Sequence, residues 1–146
     1  WTPASCWRTH EEWLQQLIAE AEKPYWQRET PPLPADPVVE LLAGLYPKTQ
    51  VRFAIGDAQL SLALCRLAAQ GYLLEHGGLP ENLAALVPEW LPGVPADPFR
   101  NAPLSSAIIE GRFVIYSVGP DMVDDGGRPT EGFPQGDSLG DIVASL

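Results

Sequence analysis

The sequence predicts an α+β fold: a long helix packed on a small antiparallel β-sheet, with an added N-terminal helical pair. Three observations predict it. Val51, Ile55, Ala58, Leu62, Cys65, Ala69 and Tyr72 recur in steps of four and three, which marks one face of a long helix. Leu104 to Ile109 and Arg112 to Ser117 carry β-branched and aromatic residues on either side of Glu110-Gly111, a tight hairpin turn with glycine supplying positive φ. The region before Thr49 has helical periodicity broken by prolines. The chain divides into a helical extension, residues 1–48, and a head, residues 49–146.

In order, Thr9 and Glu12 fit a capping box, and Trp13, Leu14, Leu17, Ile18 and Ala21 follow at helical spacing until Pro24. Pro31 to Pro37 is an extended connector. Asp36 and Pro37 open a short second helix as N-cap and first residue, running to about Leu45 with Pro47 beyond it. Thr49 is the expected N-cap of the long helix, which Gly77 and Gly78 end. Leu60, Leu64, Leu67 and Leu74 form a second row beside the first, so the apolar face is read as wide and the helix as the most buried element. Leu79-Pro80-Glu81 starts a helical turn through Leu83, Leu86 and Val87. Pro88, Pro92, Pro95 and Pro98 then forbid regular structure, with Trp90, Leu91, Val94 and Phe99 as anchors and Asp97 and Asn101 as turn formers. Ile142 and Val143 are placed in a short last strand.

Composition narrows the function. The 146 residues, 45% hydrophobic, suffice for a core, and no apolar run approaches a membrane span. A net charge of −10 argues against nucleic acid, whose phosphates need a basic face. The chain begins at Trp1 rather than Met, so a segment upstream is expected to have been removed, and any membrane anchor would lie there.

Asp121, Asp124 and Asp125 stand within five residues, directly after the second hairpin strand, and Asp137 and Asp141 follow. Such carboxylates are either solvated, bound to backbone N–H groups, or neutralised by a cation. Arg128 is the one local cation in the sequence. Hard oxygen ligands on a glycine-containing loop suit calcium better than zinc. A solvated acidic loop is the plain alternative, since the spacing is not that of an EF-hand.

The order of pieces then points to a family. A long helix is followed by Gly77 and Pro80, then Asp97-Pro98-Phe99, Asn101 and Pro103, then a hairpin ending in Ile115-Tyr116-Ser117, Gly119 and Asp121, and last Asp141-Ile142. This resembles the C-terminal head of the type II secretion major pseudopilin, a type IV pilin-like protein, over residues 51–143. The resemblance implies a non-catalytic, extracytoplasmic structural or assembly module with protein partners in the cell envelope. It also implies a structural calcium ion in the acidic loop, with Asp121, Asp124, Asp125, Asp137 and Asp141 as candidate ligands. The proline-broken extension replaces the apolar stalk of a pseudopilin, so the head is expected to be carried by a different envelope protein, membrane-anchored only through a segment upstream of Trp1. In that oxidising setting the only two cysteines, Cys6 and Cys65, are expected to lie close enough to bridge.

The rival reading is a hydrolase or small-ligand-binding domain with a pocket between the N-terminal helices and the head, which a polar cluster near Trp13 and His76 would favour. No catalytic set supports it. His10 and His76 are far apart in sequence, Cys65 and His76 are separated by about 16 Å of helical rise, and Ser117 lacks a nucleophile-elbow motif. The tryptophans before the head, Trp1, Trp7, Trp13 and Trp26, are read as core or docking anchors.

Overall fold

The computed structural model describes residues 2–43 and 46–146. Helix α1 spans Pro3–Ala21, α2 spans Pro37–Ala43 and α3 spans Tyr46–His76. Strands β1 (Ser105–Ile109), β2 (Arg112–Ser117) and β3 (Ile142–Ser145) form an antiparallel sheet in the order β1-β2-β3. The α+β arrangement is the one the sequence predicts.

Helix α1 is capped seven residues before the expected cap, Thr9. Thr2 is the N-cap, in a reciprocal capping box with Ser5, and Pro3 fills the first helical position, where its missing N–H costs nothing. Thr9 lies inside the helix and donates its hydroxyl to the Ser5 carbonyl at 3.0 Å. Asp36 caps α2 as expected, its Oδ1 accepting from Val39 N at 3.3 Å. The expected end of α2 near Leu45 lies outside the described residues, as does Trp1. Helix α3 starts at Tyr46, ahead of Thr49, because Pro47 is tolerated in a first turn.

The predicted row from Val51 to Ala69 is buried, and Tyr72 is half-buried at its end. This row packs on β2 and β3 and on a 3₁₀ turn, Leu83–Leu86. The second row corrects the expectation of a wide buried face: Leu60, Leu64, Leu67 and Leu74 are 63%, 50%, 66% and 82% exposed. The reason is angular. Each stands two residues beyond a member of the first row (Ala58, Leu62, Cys65, Tyr72), which is about 200° around a helix. A three-stranded sheet and one loop cover a single side.

The proline-rich loop is held as predicted by Leu91 and Phe99, both buried, with Trp90 and Val94 half-buried. Trp90 explains a glycine within α3. A Cβ on Gly71 would stand 2.2 Å from Cζ3 of the indole, so only glycine lets the ring lie against the helix. The hairpin turns at Glu110 and Gly111, both at positive φ as a two-residue primed turn requires.

Among the described residues the apolar side chains form two cores. The larger joins α3, the 83–104 loop and the sheet. The smaller holds Trp13, Leu17 and Val39, with Cys6 and Leu14 beside them. This division corrects the expected Cys6–Cys65 bridge. Both thiols are free: Cys6 belongs to the small core, its Sγ donating to Asp36 Oδ1 at 3.4 Å, while Cys65 is fully buried in the large one. Each cysteine serves as a small apolar filler in its own cluster.

Candidate functional site: the acidic loop and the outer face of α3

Two fully buried aspartates knit the head together. Asp97 Oδ1 accepts from Ser117 Oγ at 2.7 Å and from Phe99 N at 3.0 Å, and its Oδ2 accepts from Val118 N at 3.0 Å. The Asp-Pro-Phe element is thereby tied to the end of β2. The sequence predicts Asp97 as a turn former; its longer-range role requires the hairpin to return beside it.

Asp141 does the same for the acidic loop. Its carboxylate accepts from Gly127 N at 2.6 Å and Asp125 N at 3.4 Å. Its backbone extends the tie, with Asp141 N donating to Arg128 O and Thr130 N donating to Asp141 O. Asp121 accepts from Val123 N through Oδ1 and from Gly140 N through Oδ2. Gly127, at φ +86°, brings the loop onto the sheet: a Cβ there would stand 3.0 Å from Ile109 and 3.3 Å from Val114. The loop thus covers the sheet face opposite α3.

Asp124 accepts from Gly126 N at 3.0 Å and forms an ion pair with Arg100 Nη1 at 2.9 Å. Arg100 corrects the expectation that Arg128 is the one local cation. It also lies 3.5 Å from Asp97. Only the folded hairpin brings residue 100 to residue 124, so spacing gave no signal for it.

Burial pushes the Asp124 carboxyl up, but the Gly126 N–H and Arg100 outweigh it and hold it below the ordinary carboxylate range. Asp141 moves the other way. Burial raises it, the N–H groups of Gly127 and Asp125 lower it, and the charges of Asp124 and Asp125 help burial prevail. The structure therefore gathers Asp124, Asp125 and Asp141, with Asp121 tied to the residue before Asp141. Asp137 is exposed and lines a separate cleft beside Val51 and Gln59. Among the described residues, no three His, Cys, Asp or Glu side chains are placed around one point as a metal site. The chemistry of the gathered set still fits a hard cation: its members are carboxylates, and their mutual repulsion shows in Asp141.

The remaining candidates stay apart. Trp13 lies in the small core, and His76 stacks on Tyr72 with centroids 4.1 Å apart. Burial pushes the Cys65 thiol up to about 11, which leaves it a poor nucleophile. A cleft of about 920 Å³ lies along α3, lined by Tyr25, Lys48, Arg52, Ile55, Phe133 and Asp137 among others.

On the other side of α3, Phe53, Leu60, Leu64, Leu67 and Leu74 form an exposed apolar stripe. Among the described residues no helix is long and apolar enough to cross a membrane. No protein-family profile, curated protein or solved structure matches the chain.

Proposed function

We propose that this chain is a non-catalytic, extracytoplasmic assembly module, similar to a type II secretion pseudopilin head, whose work is to present α3 to a protein partner in the cell envelope. The observation that carries the reading is the stripe of five large apolar side chains on the outer face of α3. Large contiguous apolar patches on a soluble domain mark interaction sites. The sheet supports the reading by packing on the opposite face of α3, while the five side chains stay 50–82% exposed and the proline-rich loop reaches their side through the Trp90 ring at Gly71.

The same reading gives the acidic loop a calcium ion, held by Asp121, Asp124, Asp125 and Asp141. Calcium would supply neutralising charge there and the carboxylates its oxygen ligands; the chain's own N–H groups and Arg100 already orient those carboxylates. Asp137 joins such a site only if its segment moves, so it ranks last among the ligands.

A photo-crosslinking residue at position 64, in cells that make the protein natively, tests the reading. An adduct to an envelope protein is expected, with none from the same residue at exposed Glu81. Equal labelling from both positions, or none from either, counts against it. Melting with millimolar calcium against chelator tests the ion: superimposed curves remove calcium and leave the docking face standing.

A second reading is favoured by the cleft beside Tyr25. It joins the extension to the head and carries Lys48 and Arg52 one turn apart, which suits a small anionic ligand better than a hydrolase.

A further inference from the structure

We infer that the outer face of α3 pairs with the same face of a second copy of this chain, the two helices running antiparallel. The inference rests on reading that face as a docking surface and adds what docks there.

The spacing of the stripe comes first. Phe53, Leu60, Leu67 and Leu74 recur every seven residues, with Leu64 between them. A seven-residue apolar repeat is the pattern of helices packed along one another, since it keeps a narrow seam facing a partner helix. The seam runs for 22 residues of α3, about 33 Å. Its partner must be a straight helix of comparable length with an apolar row of its own. A second α3 meets that requirement; α1, at 19 residues, commits Trp13 and Leu17 to the small core.

The row is also symmetric about the point between Ala63 and Leu64. Laid antiparallel on its own copy, Phe53 comes level with Leu74 and Leu60 level with Leu67, so bulk meets apolar bulk at each step. This is the self-complementarity that a two-fold interface needs. Direction follows from charge. In a parallel pair in register, Asp57 would face Asp57; in the antiparallel pair it comes level with Gln70. Gly56, Ala63 and Gln70 flank the seam on one side, and Asp57, Ser61 and Glu75 on the other; laid antiparallel, Asp57 comes level with Gln70 and Glu75 level with Arg52, so a chain of net charge −10 brings no two carboxylates level along it. Area agrees. Five such side chains, 50–82% exposed in one copy, would bury roughly 1,200 Å² over two copies, the lower edge of specific interfaces.

The test is light scattering during size-exclusion chromatography, with loading from about 1 µM to about 500 µM, as an interface of that size requires. The parent's mass should double across the series. Leu60→Gln with Leu67→Gln should keep the parent's circular dichroism and shift the midpoint at least tenfold upward. Benzoylphenylalanine at position 60 should label the other copy near Leu67; labelling near Leu60 would overturn the antiparallel arrangement. A parent that stays monomeric throughout overturns self-association, while the adduct from position 64 in cells still decides whether the face docks another protein. A dimer unaffected by the double variant overturns the inference as well, because it places the interface elsewhere.

Discussion

The Tyr25 ring meets the Phe99 ring edge-on, with centroids 5.0 Å apart and planes at 75°. Tyr25 belongs to the helical extension and Phe99 to the proline-rich loop of the head, where it is fully buried. The pair clips the first part of the chain onto the core of the second. Phe99→Ala should cost about 3–5 kcal/mol, and a double-mutant cycle with Tyr25→Ala should show a coupling of about 0.5–1.5 kcal/mol. Urea unfolding of the four proteins gives both values; zero coupling would mean that the rings merely lie near each other.

Asp97→Ala should be among the most damaging substitutions in the head. It strands Ser117 Oγ, Phe99 N and Val118 N inside the protein, at about 1–3 kcal/mol for each unpaired donor that water cannot reach. Denaturant midpoints should fall far more than for Asp125→Ala. A loss under about 1 kcal/mol would show that water replaces the carboxylate freely.

The two faces of α3 should separate cleanly by alanine substitution. Leu62→Ala, at a buried site, should cost about 2–5 kcal/mol, whereas Leu64→Ala, half exposed, should stay within about 0.5 kcal/mol in dilute solution. Thermal melts at low protein concentration check this. Similar losses for both would mean that the stripe is covered within a single chain.

How far the sequence carried these conclusions depends on the range of each contact. The row from Val51 to Ala69, the cap at Asp36 and the turn at Glu110-Gly111 rest on local periodicity or local turn chemistry, and all were legible. The burial of Leu64 was misjudged because periodicity says which residues share a face, not how many faces the remaining chain can cover. The Arg100–Asp124 pair and the Asp97–Ser117 bond join residues 24 and 20 apart, and nothing in the spacing announces them. The cysteine pairing failed for a related reason: counting thiols ignores that the chain builds two separate apolar clusters.

Acid should act on the loop through two carboxylates of opposite sign. Asp124 sits below its ordinary value of 3.8, so its stabilising contribution is present above that value and is lost as pH falls through the folded pKa. Asp141 sits above its ordinary value, so its ionised form opposes folding, and protonation relieves the penalty as pH falls. Asp124→Asn should therefore lose less stability than the parent between about pH 5 and pH 3. Urea midpoints at the two pH values decide it, and an equal loss in both proteins would assign acid sensitivity to other groups.

The separation of the two cores sets a hierarchy in time. The cluster around Trp13, Leu17 and Val39 is small, so its helices can open while the α3 core stays closed. Amide protons of α1 should then exchange with deuterium by a sub-global opening well before those at Ala58, Leu62 and Cys65, which report only on complete unfolding. Tyr25, seated on the larger cluster, lies at the border between the two exchange regimes.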